Sequence, residues 1–499
     1  MRILYVNWAP VWYGVEVGGG VNLYSQSMAV ELSRRGHSIY TVSSGFAYSP
    51  SLRTFLRKAP DYHGVKNYQI FNSPILAPAL FYSHAPSTEI SCPPLENIFE
   101  KLIANIKPHV VHFHNIEGFS ANCIGIAKMM GAKVIYSLHN YHLICNQVSL
   151  LYQGKTICQG YEEGEKCLSC FSQSLFSSQR RKRQLAYIFY CLPLEIQCRI
   201  LPMIRMIVNL AMKRRLLIQK DSRLTFSQLD INKNLSNKRV ISNMQPGKMY
   251  AIRRKKMIDA INQIDLILAV SNFVKKLFIK MGVTPSLVQV NHIGNKMAEI
   301  GRGRLCSSSL KNSNDFVKFI YLGKADEAKG LPFLLKTIKC MNNRVLKRIE
   351  LYLYAKGIKS QIRNNKNLSA MLRDLKDRLA KLSVYDGYAF DDLPNILSEM
   401  DMGIVPPIWY DNAPQVVFEM FSMKIPILGA RIGGIPDFVK NNENGLLFEA
   451  GCSQDLKEKI TQVILHPESI HEFKYRIPAM KTIYEHADEL ESFYGLLWN

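Results

Sequence analysis

Two carboxylates, Asp411 and Glu419, bracket a helix start in the stretch Trp409 to Phe421, W-Y-D-N-A-P-Q-V-V-F-E-M-F. Asn412 is a capping residue type, Pro414 suits a first helical turn where no N–H is needed, and Val416, Val417, Met420 and Phe421 recur at helical spacing. In α/β folds a strand, a loop and a helix N-terminus make an anion site, because free backbone N–H groups and the positive end of the helix dipole face the mouth of the sheet. An ordinary capped strand-to-helix unit has the same pattern, so the rest of the chain must decide. Lys324 and Lys329 lie five residues apart on another predicted strand-to-helix loop, where two ammonium groups are well placed to hold a diphosphate. His139 is the last residue of the predicted strand Val134 to His139, at the edge where open α/β sheets bind ligands.

Two further clusters carry possible chemistry. Gly18, Gly19 and Gly20 stand between a first strand, Ile3 to Val6, and a helical pattern on Val21, Tyr24, Met28 and Leu32. Backbone must come close to something there, although the dinucleotide fingerprint G-x-G-x-x-G is absent. Cys145, Cys158, Cys167 and Cys170 fall within 26 residues, the last two as C-L-S-C. Four such thiols can close a tetrahedral structural zinc site; free buried thiols are the alternative. The other seven cysteines show no ligand-like spacing, which fits a reducing compartment.

The elements that must position these residues read as two α/β domains. The first, 1–303, contains the βαβ start, strands ending at His114 and His139, the Cys-rich loop 145–170, and the strand Ile264 to Ser271 with a helix behind it. A basic, partly apolar segment, 171–258, interrupts it as a helical insert. A polar, Ser- and Asn-rich linker is expected over 304–315. The second domain, 316–480, starts afresh with the strand Phe316 to Leu322, and a C-terminal helix is expected over 481–499. In each parallel sheet the strand-to-helix loops gather at one edge, so two such edges can face each other across a cleft.

Composition narrows the partners. The chain of 499 residues is 47% hydrophobic, as globular proteins are, and carries a formal net charge of +23. Between Phe171 and Lys256 there are nineteen Lys or Arg against Glu195, Asp221 and Asp230, so much of the positive charge resides in the insert. Its apolar runs, Leu185 to Leu192 and Ile200 to Leu210, are broken by Pro193 and Pro202. Basic flanks around broken apolar helices fit insertion into an anionic headgroup layer; packing of a helical hairpin on the protein's own core is the alternative. No uninterrupted apolar run reaches the roughly 20 residues that span a bilayer. The N-terminus reads as a first strand and not as a signal peptide. The expected location is cytoplasmic, peripheral on the inner face of the cytoplasmic membrane.

Taken together, G-G-G with R-R-G-H after its helix, the His139 strand end, A-V-S-N-F-V, G-K-A-D-E-A-K-G, D-N-A-P-x4-E-M-F, G-G-I-P-D and N-G-L-L-F resemble the GT-B glycosyltransferases of the large retaining group called family 4. The resemblance covers nearly the whole chain except roughly residues 171 to 258. It implies a GT-B fold, two Rossmann-like domains facing across a cleft, and transfer of a sugar from a nucleotide-sugar donor, UDP- or GDP-linked, to a saccharide acceptor with retention of configuration. It implies too that the C-terminal helix, 481–499, crosses back to the first domain. It also implies roles: Lys324 and Lys329 on the donor diphosphate, Asp411 on hydroxyls of the transferred sugar, and Glu419 on the ribose. The loop Asn412, Ala413, Pro414 and Gln415 would support sugar and phosphate through backbone amides, His139 would sit against the donor sugar, and Gly18 to Gly20 would line the acceptor side near the diphosphate. The family more often has Arg at 324 and Glu at 411, so donor preference is expected to be set at those positions. No D-x-D motif is present, and the two lysines with the helix start at Pro414 can hold a diphosphate without a metal; no cofactor is required for catalysis.

The insert points to a lipid-linked acceptor in surface polysaccharide or glycolipid synthesis, lipopolysaccharide among them. A nucleotide-sugar epimerase or phosphorylase of the same fold is the first alternative, and it needs no lipid acceptor. A zinc-containing nucleic-acid-binding protein is the alternative of another class. It accounts for the net charge and the four cysteines but for neither domain's loop chemistry.

Overall fold

The computed structural model describes residues 1–51, 53–79, 86–170, 180–200 apart from 182, 185, 194 and 198, residue 203, 247–303 and 316–498. The chain forms two parallel sheets with helices on both faces. The first contains β1 (Arg2–Val6), β2 (Ser38–Ser44), β3 (Phe55–Tyr62), β4 (Val65–Phe71), β5 (Val110–Phe113), β6 (Lys133–Leu138), β9 (Leu266–Ala269) and β10 (Val288–Val290). Their spatial order is β10-β9-β6-β5-β1-β2-β4-β3. All neighbours are parallel except β3, which runs antiparallel to β4. A separate small hairpin, β7 (Leu151–Tyr152) and β8 (Thr156–Ile157), stands in the Cys-rich loop.

The second sheet is wholly parallel, in the order β13-β12-β11-β14-β15-β16. Its strands are β11 (Val317–Lys324), β12 (Ile349–Lys356), β13 (Lys381–Tyr385), β14 (Met402–Val405), β15 (Ile427–Ala430) and β16 (Gly445–Phe448). Strands β5, β9, β14, β15 and β16 are buried along their whole length. That explains why they read as unbroken apolar runs: helices cover both faces of a parallel sheet. The β3–β4 hairpin gave no such signal. Its edge strand, F-L-R-K-A-P-D-Y, is largely solvated and carries the charge and proline that edge strands tolerate.

The expected linker 304–315 and most of the basic segment lie outside the described residues. What is described of that segment packs on the first domain. Phe189 is buried in a small cluster with Trp8, Trp12 and Tyr13, Arg183 donates to the carbonyl of Ala77 at 2.7 Å, and Tyr13 Oη donates to Gln197 Oε1. Ile188 and Met203 stay 76% and 57% exposed. The segment's last residues belong to a helix, Lys248–Ile261, whose Met257, Ile258 and Ile261 enter the first domain's core.

The last helix, Ile483–Trp498, crosses from the second domain to the first. Its Ala487, Leu490 and Tyr494 are buried in the first domain's core. Tyr494 Oη lies 3.2 Å from Tyr5 Oη and 2.8 Å from His112 Nδ1. Arg35, at the C-terminal end of the helix Gly19–Arg34, pairs with Asp488 and Glu491.

One buried network ties the helix Lys248–Ile261 to the loop that follows His139. The Arg253 guanidinium, with no exposed surface, meets Glu89 Oε2 at 2.5 Å and donates to the carbonyl of His142 at 2.8 Å. Removing one partner leaves a buried charge uncompensated, so Arg253→Ala is expected to cost about 3–5 kcal/mol. Denaturant unfolding of the first domain measures this; a loss below about 1 kcal/mol would show that the network does not stabilise that domain.

Candidate functional site

Four hydrogen bonds between the domains come from loops that follow strand C-termini. Asn412 Nδ2, after β14, donates to the carbonyl of His139, after β6, at 2.8 Å. Tyr141 Oη donates to the carbonyl of Tyr410 at 3.1 Å, and Asn295 Nδ2, after β10, to Gln415 Oε1 at 3.2 Å. Asp437, after β15, accepts from the backbone N–H of Asn272, after β9. The two sheets therefore present the same kind of edge to each other; of the candidate site residues, His139, Asn412 and Gln415 bond across this seam, Gly20 lies against Gln415, and Ala413 packs on the first domain's core.

Within it, Lys329 Nζ meets Asp411 Oδ2 at 2.5 Å and stands 5.1 Å from the centroid of the Trp409 ring. Local backbone enforces the meeting. The Asp326 side chain accepts from the Lys329 N–H at 2.9 Å. Gly330 turns at φ +76°, and any Cβ there would fall 1.7 Å from the Pro406 carbonyl oxygen. The Gly433-Gly434 turn presses equally close behind Asp411, and the N–H of Gly434 donates to the Asp411 carbonyl at 2.7 Å. Lys324 is exposed at the end of β11, its own carbonyl held by Tyr321 Oη at 2.7 Å.

Glu419 projects from the helix Gln415–Ser422 and is buried. Burial pushes its carboxyl up to about 7, against the opposing pull of a hydrogen bond from Tyr388 Oη at 3.1 Å. The expected cap is corrected by the structure. Pro414, not Asn412, is the N-cap of this helix, with no side-chain cap bond, because the Asn412 amide is engaged across the seam with His139. Its Oδ1 is buried with no hydrogen-bond partner among the described residues, leaving an acceptor for a donor group from outside. Ala413 packs against the first domain's core.

Across the seam, Gly18 caps the helix Gly19–Arg34 in the left-handed region, φ +89°. A Cβ on Gly20 would lie 3.1 Å from Gln415 Cγ. The N-termini of two helices thus abut, concentrating positive dipole ends and free N–H groups at one place. His139 is half-buried. Its Nε2 lies 3.4 Å from His114 Nδ1, and its ring centroid is 4.8 Å from that of Tyr24. Burial, with His486 nearby, pushes its imidazole down to about 3, so it is neutral at physiological pH.

Sequence reasoning gave no role to Tyr388, Tyr141, Asp437 or Gly330. Tyr388 stands in D-G-Y, a turn pattern that gives no sign of its bond to Glu419. The four cysteines lie away from the seam. Among the described residues no three ligating side chains already stand in metal-coordinating geometry, yet Cys145, Cys158, Cys167 and Cys170 all line one small cavity.

Residues 317–466 match the family described as Glycosyl transferases group 1. An uncharacterized glycosyltransferase of Methanocaldococcus jannaschii is 25% identical over 161 residues, 32% of this chain and 41% of that protein. An uncharacterized 42.6 kDa protein in the cps region of Klebsiella pneumoniae is 27% identical over 161 residues, 31% of this chain and 40% of that protein. The chain thus spans about two fifths of the length of these curated relatives. The whole fold is shared with solved structures. Sucrose-phosphate synthase of Thermosynechococcus elongatus has a TM-score of 0.58 at 12% identity, covering 100% of this chain and 99% of that one. HepE of Anabaena, in complex with UDP and glucose, has a TM-score of 0.54 at 13% identity, covering 99% of both. The two Rossmann-like halves are those of the GT-B arrangement.

The raised carboxyl of Glu419 has a sign that can be tested. Between about 4.5 and about 7 the folded chain holds this proton while the unfolded chain does not. Its contribution is therefore full at low pH and lost as pH rises to about 7, a change on the order of 3 kcal/mol. His139 and its neighbours have depressed values and slope the other way, so the informative quantity is wild type minus Glu419→Gln. That difference is expected to fall by a few kcal/mol from pH 4.5 to 7 in unfolding experiments. A difference flat with pH would mean that Glu419 is not held protonated.

Proposed function

We propose that this protein is a glycosyltransferase that moves a sugar from a nucleotide-sugar to a saccharide acceptor in the cleft between its two domains. The observation that carries the reading is the seam itself, where an ammonium, a loop carboxylate and a buried carboxylate stand within the residues matching Glycosyl transferases group 1. Breaking an anomeric carbon to phosphate bond builds positive charge on the sugar ring and negative charge on the leaving diphosphate. Fixed cations and N–H dipoles stabilise the latter. Lys329 and Lys324 supply the cations, and the abutting helix starts at Gly19 and Gln415 supply the dipoles. Asp411 binds hydroxyls of the transferred sugar, Asn412 to Gln415 line it, and Glu419 accepts from the ribose. The HepE structures hold UDP and UDP-glucose in this fold, which supports UDP as the first nucleotide to try. Catalysis is read as metal-independent. Transfer with retention, as in family 4, would have the leaving phosphate help take the acceptor proton on the same face of the sugar.

A lipid-linked acceptor of cell-surface polysaccharide or glycolipid synthesis fits best, with the protein peripheral on the inner face of the cytoplasmic membrane. The support is the basic segment and the exposed Ile188 and Met203 within it. No helix among the described residues is long and apolar enough to cross a membrane. Retention of activity on a soluble acceptor by protein lacking residues 179–220 would count against the lipid assignment.

Lys329→Ala is expected to lower turnover roughly 100-fold or more, about 2.7 kcal/mol of transition-state stabilisation. Thermal-shift measurement over UDP-, GDP- and ADP-sugars should single out one nucleotide, since ligand at about 100 times its dissociation constant adds about 2.7 kcal/mol. Near-native turnover in the variant, or no stabilisation by any nucleotide-sugar, would overturn the reading.

A further inference from the structure

Six residues beyond His139, Cys145 begins a compact module: the β7–β8 hairpin, a short turn at Glu162–Gly164 and the helix Glu165–Cys170, packed against the helix Lys248–Ile261. Cysteines 25 residues apart in sequence meet there around one cavity of about 20 Å³, room for a single water or ion. Its lining includes all four thiols, Leu150, Leu151, Tyr152 and two cations, Lys166 and Arg254.

We propose that this cavity is a structural zinc site in which Cys145, Cys158, Cys167 and Cys170 coordinate one ion as thiolates. Three observations beyond the convergence of sulfurs support it. The Arg254 guanidinium lies 3.6 Å from the centroid of the Tyr161 ring and faces the thiols, with no carboxylate paired to it among the described residues. Four neutral thiols leave that cation uncompensated in a poorly solvated place. Four thiolates around Zn²⁺ carry a net charge of −2, part of which Arg254 offsets. Backbone N–H groups also aim at sulfur. Gln153 donates to Cys170 Sγ at 3.2 Å, and the amides of Gln147 and Leu150 face Cys145. Such bonds fix where each sulfur lies and orient it as a ligand. Finally, Val148, Leu150, Gln153, Glu162 and Glu163 all adopt positive φ, a density of unfavourable backbone that persists only where something over-determines it.

Binding is balanced by the release of four thiol protons for one Zn²⁺, with no electron transferred. Zn–S bonds of about 2.3 Å require the four sulfurs to draw in on the cavity that each already borders. The site would staple the hairpin and its helix together and so brace the loop from His139 to Asn146, whose Tyr141 reaches the second domain. It does not depend on the identity of the donor nucleotide.

The test is the metal content of the full chain, purified under reducing conditions without added metal. About one zinc per chain is expected. Replacement by Co²⁺ should give the visible bands and sulfur-to-cobalt charge transfer of a tetrahedral tetrathiolate site. Cys158→Ser and Cys167→Ser should each lower zinc content at least about tenfold, while Cys340→Ser, exposed in the second domain, keeps it. Should the first two variants fail to fold, the wild-type content and cobalt spectrum decide alone. Zinc well below stoichiometric, stoichiometric iron in its place, or a disulfide between any two of the four would overturn the proposal.

Discussion

The contact on which the candidate site depends is the pair of Lys329 and Asp411. It joins the first and fourth strand-to-helix loops of one sheet, and glycines at 330, 433 and 434 bring those backbones close enough for it to form. The ammonium is one-third exposed and the carboxylate 11% exposed. Such a pair lies between the surface case, worth about 0–1 kcal/mol, and the buried case, where desolvation cancels much of the attraction. Neither partner is neutralised irreversibly. On the proposed reading a diphosphate takes the ammonium and sugar hydroxyls take the carboxylate, so each charge exchanges one partner for another and none is stranded. Preorganisation here means charges already held where the ligand needs them.

Glu419 completes the same logic on the other side of the helix. A buried carboxyl with one phenol donor is half-satisfied, and the cost of its charge appears as a raised pKa. Two further hydroxyl donors from a ribose diol are what such a group lacks. The unpartnered Oδ1 of Asn412 makes the same statement for the loop. Both are acceptors awaiting donors, which suits a ligand rich in hydroxyl groups.

Much of this was legible in the chain because parallel strands buried on both faces read as apolar runs, and the loops after them read as glycine, proline and capping residues. The loop of Lys329 and the helix of Glu419 could be placed this way. What could not be read was pairing across the seam. Asn412 looks like a cap because capping is the local use of its side chain, whereas its true partner, the His139 carbonyl, is 273 residues away in sequence. Asp437 is silent for the same reason, and Tyr388 because its partner Glu419 stands on another loop-and-helix unit of its own domain, 31 residues away in sequence. The β3–β4 edge was missed because an edge strand is designed to look polar.

The least legible feature is the column of imidazoles behind the seam. His112 and His114 lie with ring centroids 4.2 Å apart, His114 and His139 at 5.6 Å, and His486 of the last helix bonds Tyr24 at 2.7 Å. Burial depresses all four, so the column is uncharged and its bonds, to Tyr494 and Ser137 among them, are directional rather than ionic. This bears on what His139 can offer a substrate. A sugar losing its phosphate develops positive charge on the ring, and an imidazolium beside it would oppose that charge at short range in a poorly solvated site. A neutral imidazole instead presents a dipole and a hydrogen-bonding nitrogen at no electrostatic cost. The last helix, by placing His486 and Tyr494 against this column, closes the first domain's core and keeps His139 in the form that the proposed chemistry requires.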